Sequence, residues 1–123
     1  MNQAKLNYDE VSDTLYISFE PGAKATGIEL NDHILLRIDK DKRTAVGLTF
    51  FDYSILMQRA DFGPRSFPLT GLAHLSNELR ELVVEIMQSP PITNFLTLST
   101  YTPTNAEAIP ITSLQQISTV MAV

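Results

Sequence analysis

Residues 8–19 read YDEVSDTLYISF and indicate how the chain begins to fold. Every second residue over positions 15–19 is apolar, and this is the period of a strand with one buried face. The acidic run at residues 9–13 is typical of a turn, because Asp and Ser side chains bond nearby backbone groups. The stretch therefore predicts a hairpin, with strands over about residues 4–8 and 14–19.

The alternation of apolar and other residues continues downstream and predicts three further strands. It recurs at residues 28–30, 34–38 and 46–50. Turn-forming sequences separate these runs: EPGAK follows the second strand, NDH begins at position 31, and DKDKR begins at position 39. Short strands joined in this way favour an antiparallel meander of about five strands.

Such a sheet needs a cover for its apolar face, and the second half of the chain offers one. Apolar residues recur at three- and four-residue steps over about residues 72–88, which predicts one main helix packed on one face of the sheet. Prolines 90 and 91 end it. A shorter helix is predicted from Asp52, as its N-cap, to about Arg59. Residues 92–101 predict one more strand, and residues 111–123 fit either a short helix or an edge strand.

These elements predict an α+β fold in a single domain over residues 1–123. The length suits one domain, and neither half has enough apolar residues for a core of its own. Residues 1–60 would form the meander. Residues 61–123 would add the helix and a low-charge tail, since Glu107 is the only charged residue after position 85.

Composition argues against several classes of function. The net charge of -5 disfavours nucleic-acid binding, which needs clustered Lys and Arg to neutralise phosphates. The absence of Cys excludes disulfides, thiolate metal sites and a Cys nucleophile. The apolar runs are too short for a membrane span, and the polar N-terminus does not resemble a signal peptide. We therefore expect a cytoplasmic protein that binds neither nucleic acid nor membranes.

Polar residues in the turns are the candidates for a functional site, and each has a structural explanation. The run DKDKR begins like a calcium loop, but Thr44 replaces the required glycine and Phe50 the required glutamate. The two histidines have no partner nearby in sequence, and a general base needs one within bonding reach. The sequence thus predicts no catalytic residue, cofactor or metal site. The weak functional candidates that remain are Asp9, Asp13, His33 and Asp39.

The apolar stripe of the main helix has two interpretations. Its spacing covers only about two heptads, whereas a coiled coil needs three or four, so packing on the sheet is favoured. Dimerisation through the same stripe is the alternative, because a small antiparallel sheet leaves edges to protect. The stripe comprises Leu72, Leu75, Leu79, Leu82 and Ile86.

The first half of the chain resembles an uncharacterised family, domain of unknown function 2283, over about residues 5–54. The resemblance departs at Lys42 and Arg43, where the family usually has glycine. It implies the β fold, no known catalytic residue, and for some members a suspected antitoxin-like role beside a small toxin. The residues that carry it are Tyr8, Asp9, Asp13, Leu15, Tyr16, Ile17, Asp39, Asp41, Val46, Gly47, Leu48 and Asp52.

The expected function is that of a non-catalytic protein-interaction module that acts as a homodimer. Its motivation is the lack of a catalytic constellation, the acidic balance and the apolar, low-charge tail. One alternative is an antitoxin-like regulator that binds a small toxin. Another is a small enzyme or ligand-binding domain that uses the acidic turn residues.

Overall fold

The computed structural model describes residues 4–60, 63–64, 66–101 and 109–114. The chain divides into two compact units, Met1–Ile55 and Leu56–Val123. A single domain over residues 1–123, with the helix packed on the five-stranded sheet, stays a prediction.

The first unit is a five-stranded antiparallel sheet with the strand order β1-β2-β5-β4-β3. Short turns join β1 to β2, β3 to β4 and β4 to β5, but β2 lies beside β5 rather than beside β3, so the strand order differs from that of the predicted meander. The predicted α+β class and the antiparallel sheet of five strands are thereby confirmed. The strands are β1 (Lys5–Asp9), β2 (Thr14–Ser18), β3 (Thr26–Glu29), β4 (Ile34–Asp39) and β5 (Thr44–Phe51).

One face of this sheet is the apolar face that the sequence predicted. Side chains alternate between the two faces of a strand, so residues paired across strands share a face. Ile17, Leu48 and Leu36 are paired in this way, and each is at most 1% exposed. Burial of these branched residues is the main stabilising term of the sheet, because it removes apolar surface from water.

The register brings three separate segments to the same end of the sheet. Thr14 pairs with Phe51, and Ile34 pairs with Phe50, so the β1–β2 turn, the β3–β4 turn and the end of β5 are neighbours. Asp39, at the other end of β4, belongs to the β4–β5 hairpin at the opposite end of the sheet.

The short helix after β5 is one turn long, α1 (Tyr53–Leu56), rather than the predicted helix from Asp52 to Arg59. Asp52 has a positive φ of 57°, whereas an N-cap residue is usually extended. Its side chain contacts His33 instead of capping the helix. The prediction of Asp52 as an N-cap was therefore wrong.

The second unit contains the main helix and a small three-stranded sheet of order β8-β10-β9. No helix among the described residues is both long and apolar enough to cross a membrane. A 3-10 turn at Thr70–His74 precedes the helix. The elements are β6 (Arg59–Ala60), β7 (Gly63–Pro64), β8 (Phe67–Pro68), α2 (Asn77–Met87), β9 (Leu96–Tyr101) and β10 (Ile109–Leu114).

The main helix begins five residues later than its apolar spacing predicted. Ser76 is extended, and its Oγ accepts a hydrogen bond from the backbone N–H of Leu79 at 3.2 Å, as an N-cap does. Leu72 has the right spacing for the helix but lies in the 3-10 turn. Apolar spacing alone does not distinguish a 3-10 turn from the first turn of an α-helix. The capping serine, Ser76, marks where the α-helix begins.

The predicted strand in residues 92–101 is present as β9, after a short 3-10 turn at Ile92–Asn94. The ambiguous segment after position 110 forms β10 as far as Leu114, so it is a strand there, but β10 lies between β8 and β9 and the predicted edge position was wrong. Its remainder, residues 115–123, lies outside the described residues.

Candidate functional site

The carboxylate of Asp13 joins the β1–β2 turn to the segment after β5. Its Oδ1 accepts hydrogen bonds from the Tyr8 hydroxyl at 2.6 Å and from the Ser54 backbone N–H at 3.0 Å. Its Oδ2 accepts from the Ser54 hydroxyl at 2.6 Å. The backbone carbonyl of Asp13 also accepts from the N–H of Tyr53 at 2.9 Å. One residue thus fixes two segments that are 41 positions apart.

These bonds stabilise the ionised form of Asp13, and they engage both oxygens of its carboxylate. The Ser54 hydroxyl, followed by the Tyr8 hydroxyl, lowers the pKa of Asp13 below its ordinary value of 3.8. The same hydrogen bond to Asp13, with burial and the nearby acidic charges adding to it, raises the pKa of Tyr8 to about 12. A carboxylate that already accepts three hydrogen bonds is poorly suited to act as a general base, so Asp13 has a structural role.

Asp9 and Asp39 are the acceptors of their own turns. Asp9 accepts from the N–H of Val11 at 3.1 Å and from the hydroxyl of Ser12 at 2.8 Å. Asp39 Oδ1 accepts from the N–H groups of the second and third residues after it, at 3.0 and 3.1 Å. Both geometries are side-chain turns of the kind that Asp favours. The structure therefore places Asp39 away from the other candidates and gives both residues a local role.

His33 lies at the same end of the sheet as Asp13, and it has a partner that the sequence did not reveal. Its Nδ1 is 3.2 Å from Oδ2 of Asp52, and the two side chains are 44% and 50% exposed. The contact is an ion pair when the imidazole is protonated, but Nδ1 makes no aligned hydrogen bond to any described residue. A carboxylate beside Nδ1 can orient an imidazole for proton transfer. Of the predicted candidates, His33 is therefore the one whose side chain is not already a hydrogen-bond acceptor within the described part of the fold, and Asp52 is its charged neighbour.

Sequence reasoning missed Asp52 and Ser54 as partners because register, rather than spacing, brings them to His33 and Asp13. The sequence offered one indication that Asp52 matters, because Asp52 is the last residue of the pattern shared with the family. Among the described residues, no three His, Asp or Glu side chains are grouped closely enough to hold a metal ion.

The other face of the five-stranded sheet, here called the outer face, is exposed in part. Tyr16 on β2 is exposed and Leu35 on β4 is half-buried, whereas Gly47 and Thr49 on the central strand β5 are buried. Two rows of paired residues cross all five strands on it. The first row, in strand order, is Asn7, Tyr16, Thr49, Leu35 and Glu29. The second row is Lys5, Ser18, Gly47, Arg37 and Gly27.

The centre of the outer face combines apolar surface with an arginine. Tyr16 is 45% exposed and Phe51 39%, and Leu35 is half-buried. The Arg37 guanidinium lies over Gly47, since a Cβ built on that glycine would be 2.7 Å from Nη2. Within the described part of the chain, no carboxylate is within 4.0 Å of Arg37. Aromatic residues and arginine in this arrangement are typical of the centre of a protein interface.

The apolar stripe of the main helix, which was also predicted as a possible dimer interface, exposes little surface to solvent. Leu72, Leu82 and Ile86 are 3%, 6% and 5% exposed, and Leu75 and Leu79 are half-buried. These values favour a core role for the stripe, and dimerisation through it stays a prediction.

Comparison with known proteins gives a match for the first unit alone. No curated protein and no solved structure matches the chain. Residues 5–54, the five strands and the residues that hold their turns together, match the model of a family described as Protein of unknown function (DUF2283). The match confirms the resemblance to this family over that segment, and the family's description assigns no activity to it.

Proposed function

We propose that the protein is a non-catalytic protein-interaction module that acts as a homodimer, and that the outer face is its interface. The observation that carries the proposal is the exposed Tyr16 and the half-buried Leu35 beside Arg37, on a sheet whose opposite face is buried. Exposed aromatic and apolar side chains on a sheet face mark a binding surface, because their burial releases water.

The order of residues on the outer face is suited to a second copy of the same chain. A two-fold axis along β5, the central strand, places β2 of one copy over β4 of the other. Tyr16 and Leu35 share a row on those two strands, so Tyr16 of each copy meets Leu35 of the other. A symmetric interface requires this kind of self-complementarity.

The charges on the outer face agree with the same arrangement. Lys5 lies on β1 and Glu29 on β3, the two opposite edge strands, in adjacent rows. The two-fold axis brings each edge of one copy over the other edge of its partner, so each Lys5 lies near a Glu29 of opposite charge. Such rim pairs add orientation and specificity more than affinity.

The experiment is the molecular mass of the full chain in solution, by light scattering over a range of concentrations. We expect the wild type to have twice the chain mass of 13.7 kDa, and Tyr16→Glu to have the chain mass itself. The substitution removes the aromatic contact with Leu35 and requires a carboxylate to be desolvated in the dimer, and this is costly.

Val11→Glu is the matched control. Val11 is 98% exposed, and it lies in the β1–β2 turn rather than on the outer face, so this variant should remain a dimer. The exchange of charges gives a second check: Lys5→Glu should weaken the dimer, and Glu29→Lys in the same chain should restore it. A wild type that stays monomeric at every concentration, or a Tyr16→Glu variant that stays dimeric, contradicts the proposal.

The antitoxin-like role and the cytoplasmic location stay predictions. The enzyme alternative now depends on His33 and Asp52, because Asp9 and Asp39 serve as acceptors within their own turns and Asp13 joins its turn to Ser54.

A further inference from the structure

We propose that the second unit binds a small organic carboxylate with an apolar body. The site is a cleft between the 3-10 turn at Thr70–His74, the helix α2, and the β9–β10 pair. Its volume of about 710 Å³ is in the range of small-molecule sites, which is about 300–1,000 Å³. None of the residues that line this cleft belongs to the outer face, so the inference goes beyond the proposed interaction module.

The wall of the cleft is apolar and only partly covered. Leu69 and Leu72 form its buried base. Val84 and Leu98 are half-buried, and Ile109 is 38% exposed. Apolar side chains that line a concave surface are stabilised when an apolar ligand displaces water from them.

Arg80 supplies the charge in this apolar cleft. Its Nε donates to the carbonyl oxygen of Leu72 at 2.9 Å, and its Nη2 donates to that of Leu75 at 3.0 Å. Nη1 makes a longer bond of 3.4 Å to Oδ1 of Asn77. The guanidinium is therefore held in place before any ligand arrives, and preorganisation of this kind lowers the cost of binding.

The hydrogen bonds of Arg80 leave part of its donor capacity free. A guanidinium has five N–H donors, and the three bonds leave one N–H on each of Nη1 and Nη2. This pair matches the two oxygens of a carboxylate. Among the described residues no carboxylate lies within 4.0 Å of Arg80 to occupy it.

The remaining lining residues narrow the class of ligand. The polar groups near the rim are neutral, with Thr70, Gln88 and Ser99 among them, and Arg80 is the one charged residue that lines the described cleft. A phosphate group carries more charge and is usually held by several donors, whereas one arginine fork fits a single carboxylate. The apolar wall then takes a hydrocarbon or aromatic body attached to that carboxylate.

The test is a titration of the full chain with octanoate, and with octanamide as its neutral analogue, followed by amide NMR. We expect octanoate to cause saturable shifts at Ala73, Leu98 and Ser99, and octanamide to bind at least tenfold more weakly. Absence of saturable octanoate binding overturns the proposal, and equal binding of the two probes overturns the role of Arg80.

Removal of Arg80 would also break the bonds that hold the 3-10 turn, so the variants are placed at Ala73. Ala73 is exposed and lines the cleft. Ala73→Glu should weaken octanoate binding at least tenfold by charge repulsion, whereas Ala73→Gln, of the same size but neutral, should bind nearly as the wild type does. Equal binding by the two variants contradicts a carboxylate held in this cleft.

Discussion

At the scale of single residues, the carboxylate of Asp13 accepts hydrogen bonds from two different segments of the first unit. It accepts from the Tyr8 and Ser54 hydroxyls and from the Ser54 backbone. Its φ of 53° lies in the left-handed region, which Asp and Asn tolerate better than most residues. Both its chemistry and its backbone therefore favour Asp at this position, and Asn is the least disruptive replacement.

Asp13→Asn should lower the pKa of Tyr8 from about 12 towards its ordinary value of 10.0, because the bond to the carboxylate is the largest cause of the shift. A pKa raised in the folded state stabilises the fold fully below pH 10.0, and this contribution is lost as the pH rises to about 12. Asp13→Asn should therefore lose less free energy of unfolding than the wild type does as the pH rises from 10.0 to about 12. The measurement is the pH titration of the tyrosine ring NMR signals.

The variant Tyr8→Phe identifies the Tyr8 signals in that titration, because they are missing from its spectrum. The assignment matters because burial also raises the pKa of Tyr53. An unchanged Tyr8 pKa in Asp13→Asn would contradict the role given to the carboxylate.

The sequence placed Asp13 in a turn correctly, but it did not show what the side chain binds. Asp9 accepts from residues two and three positions later, and so short a range can be anticipated from turn chemistry. Ser54 is 41 positions from Asp13, and Asp52 contacts His33 across two strands. Such pairs depend on the register of the sheet. Apolar alternation predicts which face of the sheet a residue lies on, but not which residues pair across strands.

At the scale of elements, the contact between β2 and β5 depends on a glycine. A Cβ added at Gly47 would be 2.8 Å from the backbone carbonyl oxygen of Ile17 and 2.7 Å from Nη2 of Arg37. The arginine can move, but the carbonyl belongs to the paired strand and cannot move without the sheet. Gly27, on the same face, is different, since its Cβ would meet only Leu35 Cδ1 at 3.5 Å.

Gly47→Ala should therefore reduce the free energy of unfolding by about 1–3 kcal/mol, the usual cost of an overpacked site. Gly27→Ala, the matched control, should remain within about 1 kcal/mol of the wild type, because an alanine without strain restricts the unfolded chain. The measurement is equilibrium unfolding by denaturant. Equal stability of the two variants would show that β2 and β5 can separate without cost.

The elements differ in how far the sequence determined them. The strands of the first unit follow from their two-residue apolar period, and burial alternates with that period along β4. The central strand β5 is buried on both faces, which the period alone does not predict. The start of α2 does not follow from apolar spacing, since Leu72 and Leu75 continue the helical pattern into a 3-10 turn and its exit. The pairing of β10 with β8 links segments more than 40 positions apart, and no local pattern specifies it.

At the scale of the whole molecule, the proposed dimer links stability to protein concentration. A protein whose folded state is a dimer is stabilised by mass action, because association draws the equilibrium away from the unfolded chain. The interface proposed for the outer face is symmetric, so each copy contributes the same Tyr16 and Leu35 contacts twice. A single substitution in that row is consequently present twice in each dimer.

The wild type should show a thermal midpoint that rises by several degrees between dilute and concentrated solutions. The midpoint of Tyr16→Glu should not depend on concentration, whereas that of Val11→Glu should rise as in the wild type. The measurement is thermal unfolding followed by circular dichroism at several concentrations. A wild-type midpoint independent of concentration would mean that folding is complete in the monomer. The exposed Tyr16 and the half-buried Arg37 would then be free to bind a different protein, and the outer face would no longer be a homodimer interface.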